Sequence, residues 1–376
     1  MQWGRIANAK ECVFPMTTRS LARTVTAALL FLVAPRAAVA SSSCLWQVYK
    51  PPNLSDYQLL TAVDAVAGND VWAAGYATIN GVATPYFEHF DGTNWTTIPA
   101  PKLQGSAAIS GIAHFASNDV WAVGWADVPL TLHWDGRRWK VFPNPAGGSG
   151  GQLFAIVRVG RFLYADGFSE SEGLTIEKFD GTQWVFETPY VAANSRFQAI
   201  AGSSPSNVWA GGYYAGGALI ERRDPKTKTW VQVASPAQGC IESMSARSAG
   251  DVWAVGTSVS SVQRWNGKVW RLVKYPRSGG DTYITQVSAT ADTGYTWFTG
   301  IIDPGSSKST AFVDRYLNGR WEETPIVQVG TWGTAADLIS PVPGSADLWA
   351  VGYYEDGDQF HSYNLAELWS CPSGVS

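Results

Sequence analysis

The chain has 376 residues, of which 15% are charged, with 38 Gly, 19 Trp and 15 Tyr. So little charge beside so many rings and glycines excludes a disordered chain and points to a β-rich, turn-rich globule. No run of 18 or more apolar residues occurs, so no ordinary membrane-spanning helix is expected.

The N-terminal forty residues stand apart. "MTTRSLARTVTAALLFLVAPRAAVA" begins at Met16, carries Arg19 and Arg23, runs apolar from Val25 to Ala34 and ends on Ala38, Val39 and Ala40. A basic start, a short apolar core and a small-x-small end make a secretory signal over residues 1–40. The preceding residues 1–15 do not suit such a signal, which points to Met16 as the translation start. Cys44 has no lipobox before it, so a lipoprotein is not expected. Removing residues 1–40 takes five basic residues and one acidic residue from the totals of 27 and 31, leaving 22 against 30, a net charge of −8. No basic run survives, so nucleic acid and anionic membranes are poor partners.

From there one pattern recurs. "NDVWAAG" is followed by "SNDVWAVG", "GRFLYADG", "SNVWAGG", "GDVWAVG", "GYTWFTG" and "ADLWAVG". The large ring of each is Trp72, Trp121, Tyr164, Trp209, Trp253, Trp297 and Trp349, at spacings of 43 to 52 residues that signify propeller blades or helical arrays. Each unit also carries a second half such as "YFEHFDGTNWTTIPAP" or "SVQRWNGKVWRLVKYP". Its Asp-Gly or Asn-Gly between alternating segments signals a hairpin, with both turn residues expected at positive φ. Its final Pro ends pairing. No segment keeps a helical period, so each unit reads as four short strands. Four-stranded sheets repeated about an axis form a β-propeller. The ring fills the gap between blades and the Gly allows backbones to approach.

The seventh unit lacks its outer strand. "LWQVYKPP" (45–52) near the N-terminus has the shape of that strand and is expected to complete the last blade. Cys44 and Cys371 then become neighbours, and in a secreted protein they are expected to form a disulfide. Cys240 is left over as a buried small hydrophobe. Residues 41–376 thus read as one all-β domain, a seven-bladed β-propeller, expected to be monomeric.

"VWAGGYYAGGALIERRDPKTKTWVQVASP" (208–236) carries the Gly211–Gly212 pair, the "DPKTKTW" turn and the closing Pro of kelch repeats. The chain therefore resembles kelch-like, galactose-oxidase-type secreted propellers at the level of architecture, and most units look closer to bacterial secreted propellers with "VWAVG" and "DGxxW".

Chemistry is sparse. The four His (His89, His114, His133 and His361) do not make an iron or copper set, and no Cys-x-x-Cys, Gly-x-Ser-x-Gly or phosphate loop occurs, so no cofactor or metal is expected. Asp70, Asp91, Asp119, Asp135, Asp180 and Asp251 read as turn formers. Asp64, Glu242 and Asp337 fall on inner strands and are expected to line the channel. The loops after the motif vary from blade to blade, and the residue after each motif Gly is Tyr76, Trp125, Phe168, Tyr213, Thr257, Ile301 or Tyr353. These rings suit sugar stacking, with Asp127, Glu170, Glu355, Asp356 and Asp358 as hydrogen-bond partners. The ligand-binding candidates are Tyr76, Trp125, Tyr213, Tyr353, Glu355 and Asp356. The leading expectation is non-enzymatic binding of a glycan or an extracellular surface protein by the variable-loop face. A polysaccharide lyase or glycoside hydrolase using channel-mouth carboxylates, and a protein-interaction scaffold, are the alternatives. Exported protein is predicted to begin near Ser41; N-terminal sequencing that returned Met1 or Met16 would refute the signal.

Overall fold

The computed structural model describes residues 44–371, except 56, 147–149, 171–172, 191–194, 215–216, 257, 278–281, 304–307 and 357–361. The signal, Met16, Thr257, Asp358 and His361 therefore lie outside the described residues. Seven four-stranded antiparallel sheets are present, each with its strands in chain order except the last. Blade 1 is typical, with Gln58–Ala67 innermost, then Asp70–Ile79, Val82–Phe90 and the outer Trp95–Ile98. The inner strands of blades 2 to 6 are Ala108–Ala116, Gly151–Val159, Arg196–Ser204, Ser243–Ser248 and Thr282–Ala289. Blade 7 runs Gly333–Pro341, Leu348–Glu355 and Ser362–Ser370, and its outer strand is the N-terminal Leu45–Tyr49, paired with Ser362–Ser370 from Leu45↔Ser370 to Tyr49↔Ala366. The ring thus closes by pairing the two chain ends, as the orphan strand implied. No described helix is long and apolar enough to cross a membrane.

A Cys44–Cys371 disulfide locks that closure across a sequence separation of 327. A loop of that size removes roughly 6 kcal/mol of unfolded-chain entropy before any strain is counted. Cys240 is buried, as expected of a small hydrophobe, and it is not a free thiol.

The seven motif rings are all at most 2% exposed. Each packs against the next blade. Trp72 meets Trp134 and Trp139 at 5.3 and 5.7 Å, Trp253 meets Phe298 and Tyr316, and Trp349 meets Phe90 and Trp95 across the closure. Burial of this kind is worth about 3–5 kcal/mol per ring against Ala. His89 and His133 do share a repeat position. Each lies against its blade's Trp, with Nε2 at 2.8 Å from Asp70 and from Asp119. Asp70 and Asp119 are therefore clamps on the third strand as well as turn residues.

The Asp-Gly turns differ from expectation in one respect. At Asn318–Gly319 both turn residues have positive φ as expected, and Gly92, Gly136, Gly181 and Gly267 do too, but the Asp or Asn before each of these four does not. That residue instead accepts two backbone N–H bonds, Asp91 from Thr93 and Asn94 and Asp135 from Arg137 and Arg138. The side chain closes a four-residue loop, so only the Gly must be left-handed.

The motif Gly has a sharper role than general closeness. A Cβ on Gly75 would lie 1.9 Å from the carbonyl oxygen of Leu59, on Gly124 2.0 Å from that of Ala108, and on Gly212 1.9 Å from that of Arg196. Gly167, Gly256, Gly300 and Gly352 meet the corresponding carbonyls of Gln152, Cys240, Tyr283 and Ala335 at 2.0–2.2 Å. The close approach is thus to the inner strand of the same blade, and it accompanies a bulge there. The pairing register shifts between Leu60 and Ala62, Ile109 and Gly111, Leu153 and Ala155, Phe197 and Ala199, Ile284 and Gln286, and Ala335 and Leu338. Gly124→Ala is expected to cost about 3 kcal/mol through this clash. Gly217→Ala, whose Cβ would meet nothing within 4 Å, is expected to leave the melting temperature unchanged. Thermal denaturation of the two variants tests the assignment, and equal melting temperatures would refute it.

Candidate functional site

A bulge leaves one residue unpaired and re-aims it. Two residues after each crowded carbonyl stand Thr61, Ser110, Phe154, Gln198, Glu242, Thr285 and Asp337, one per blade. In blade 5 the Glu242 N–H bonds the Val255 carbonyl that also faces Ser243, which is the same two-against-one arrangement. Five of these seven residues, Thr61, Ser110, Phe154, Gln198 and Glu242, line a cavity of about 180 Å³ at the channel mouth. Tyr76, Ala108, Ile109, Trp125 and Gln152 complete its wall. The cavity opens on the face that carries the variable loops, because inner strands begin there and second strands end there.

The wall is partly self-satisfied. Thr61 donates its hydroxyl to the Ile109 carbonyl at 2.5 Å and Gln152 donates Nε2 to Ser110 Oγ at 3.0 Å, each tying one blade to the next. Phe154 stacks near Phe168 at 6.2 Å, and the Arg196 guanidinium lies 5.4 and 5.1 Å from the two rings. Gln198 Oε1 and Glu242 Oε1 are buried and have no hydrogen-bond partner among the described residues. Burial alone pushes the Glu242 carboxyl up to about 7.

Of the sequence candidates, Tyr76, Trp125 and Glu242 are brought together here. Tyr76 is only 3% exposed and sits between blades 1 and 2, and burial raises its hydroxyl well above the tyrosine range. Trp125 is half-buried. Asp337 occupies the same bulge position in blade 7, where burial pushes it up to about 6, but it does not reach this cavity. Asp64 lies further along its inner strand, 2.6 Å from His114 Nδ1, and so belongs to an interblade pair away from the mouth. Tyr213 and Tyr353 are half-buried at the ends of their strands and line no part of the cavity. Glu355 is half-buried at the end of its strand, and exposed Asp356 accepts the Thr331 hydroxyl at 2.7 Å.

Thr61, Ser110, Phe154 and Gln198 were missed. A signal for them exists, since Thr61, Ser110, Gln198 and Glu242 each precede the motif Trp by eleven residues. A second missed column lies on the third strands, where Glu88, Glu177, Glu221, Asp314 and Glu367 are all fully buried. Three of these acids clasp the crossover arriving from the preceding blade, while Glu88 accepts the hydroxyl of Tyr86 on its own strand. Glu177 accepts the Ala146 N–H at 3.2 Å, Glu221 that of Tyr190 at 2.9 Å, and Asp314 the Tyr275 hydroxyl and the Arg277 guanidinium at 2.7–2.8 Å. Gln263 takes the same place in blade 5, accepting from Ser235 at 3.0 Å. The crossovers form the floor of the variable-loop face, so these clasps hold the rim of the site.

No family model matches the chain, and no curated protein does. Among solved structures, YCF48 bound to D1 peptide is similar with a TM-score of 0.59 and 16% identity over 88% of this chain and 97% of that one. YCF48 from Cyanidioschyzon merolae is similar with a TM-score of 0.56 and 16% identity over 85% and 98%. At that identity the likeness shows the propeller fold alone. The kelch-like resemblance likewise extends no further than architecture.

Burial raises Glu88 and Glu367 to about 8 and Glu177 and Glu221 to about 7, all above their unfolded value of 4.5. The folded state therefore holds protons that the unfolded state releases. The stability this contributes is complete below pH 4.5 and is lost as pH rises through 7 to 8. The melting temperature is expected to fall by several degrees between pH 5.5 and pH 8.5, and less in Glu177→Gln. A melting temperature that rises over that interval would contradict it.

Proposed function

We propose that the chain is a non-catalytic, exported scaffold that binds an extended segment of a partner protein at the channel mouth. One observation carries the reading. The mouth cavity opens onto an apolar rim in blade 1, where Leu54, Tyr57, Ile79 and Val82 are 52%, 38%, 40% and 40% exposed. Tyr57 touches Tyr76 of the cavity wall at 6.3 Å between ring centres, so rim and cavity are continuous. A row of exposed apolar side chains leading into a polar-floored pocket suits a polypeptide, which offers alternating side chains and backbone donors. The propeller resembling this one that was solved with a peptide bound points the same way. The disulfide across the ring closure favours an oxidising compartment, in keeping with the expected signal.

A glycan fits less well. Sugar stacking needs exposed ring faces, whereas Tyr76 is buried between blades and Trp125 half-buried in the cavity wall. Glycoside hydrolysis needs two facing carboxyls. Among the described residues Glu242 is the one acid lining the cavity, and Asp64 is engaged by His114.

Residues 41–376 should be screened in parallel on an array of extended peptides and on a glycan array. Peptide binding is expected, weakened about tenfold or more by Trp125→Ala, while the melting temperature of that variant stays within a few degrees. Retention on glycans alone would overturn the reading.

A further inference from the structure

The unpaired groups of the mouth cavity say more about its occupant. Beside the Tyr76 hydroxyl, which is also buried without a partner among the described residues, the lining residues supply two buried acceptor atoms, Gln198 Oε1 and Glu242 Oε1, from neighbouring blades at the same bulge position. Neither has a donor among the described residues, and none of the ten lining residues is basic. Leaving such acceptors buried and unpaired is costly, so the cavity favours an occupant that brings donors. The walls are aromatic, with Tyr76, Trp125 and Phe154 contributing ring surface. One of those rings already carries a guanidinium, that of Arg196 at 5.4 Å from Phe154, so this kind of wall accepts a planar cation within the molecule itself.

Resting on the peptide-binding reading above, we infer that the mouth cavity takes a guanidinium side chain, an arginine of the bound segment. The planar head lies against the aromatic wall and donates to Glu242 Oε1 and Gln198 Oε1. Arginine suits the site better than lysine, because its fixed fork reaches two acceptors at once and its weaker hydration lowers the cost of burial. The excess of acidic residues on the chain supports the approach of a cation without contributing contacts. Binding has a proton consequence. Burial holds the Glu242 carboxyl up at about 7, and a cation beside it favours the ionised form. Near pH 7 the complex therefore forms with release of a fraction of a proton from Glu242, and affinity falls as pH drops below 7.

The test uses two small probes on the purified chain, N-acetyl-arginine amide and its neutral isostere N-acetyl-citrulline amide, by calorimetry in buffers of differing ionisation enthalpy. The arginine probe is expected to bind at least tenfold more tightly and to release protons at pH 7. Glu242→Gln should remove most of that preference and all of the proton release. Should that variant fail to fold, the pH dependence of the arginine probe on the unaltered chain decides, with weakening from pH 8 to pH 6 expected. Equal affinity for both probes, or a preference that Glu242→Gln leaves intact, would overturn the inference. The peptide array separates the two proposals. Peptides that bind regardless of arginine content would leave the scaffold reading standing and this inference refuted. An array without binding, beside a selective arginine probe, would refute the peptide reading and leave a cation site.

Discussion

The contact on which the molecule depends is the one between each motif glycine and the inner-strand carbonyl opposite it. A side chain there would place its Cβ about 2 Å from that oxygen in every blade. Only hydrogen fits, and because it fits, the inner strand can bulge at the following residues. The bulge increases local twist and bends the strand around the channel axis. It also re-aims one residue per blade, and five of the seven line the mouth cavity. A single steric condition thus shapes the ring and supplies its central side chains, and it places no demand on what those side chains are. Thr, Ser, Phe, Gln, Glu, Thr and Asp occupy the seven places, so the mouth is asymmetric although the backbone is repetitive.

Two further columns make that mouth rigid. The motif rings weld each blade to the next through apolar burial that no single blade achieves alone. The third-strand acids hold the crossovers, which pass over the mouth face with few strand hydrogen bonds of their own. A carboxyl suits this task because it can accept from a backbone N–H without needing a partner of its own sequence register. The arrangement leaves several acids buried without a cation, which ties the firmness of the rim to pH. Asp314 is the exception, since Arg277 neutralises it. Pre-set walls of this kind reduce the ordering cost of binding.

The architecture was open to reading in the sequence because its determinants are local and repeated. A turn needs Asp and Gly side by side, an interblade ring needs one large residue per period, and a missing outer strand leaves a visible orphan. Repetition turns each weak signal into a strong one. Part of the mouth was legible for the same reason, with Tyr76 and Trp125 following the motif glycine and Glu242 standing out as an acid in an apolar strand. The bulge was not, because pairing register is a relation between strands and Thr61 or Gln198 look unremarkable within their own. Glu88 and Glu177 read as ordinary polar residues on a strand, since what buries them is a crossover from another blade.

The sequence by itself determined the seven-fold count, the strand order, the closure by Leu45–Tyr49 and the pairing of Cys44 with Cys371, all of which follow from short-range pattern and spacing. Only the tertiary structure decided which inner-strand residues meet at the mouth. Asp64 lies on an inner strand and Glu242 directly before one, yet one is tied to His114 along the channel and the other faces the cavity. That difference comes from where each residue sits relative to the bulge. A one-residue shift in register exchanges the faces of a strand, and only the partner strand fixes the shift.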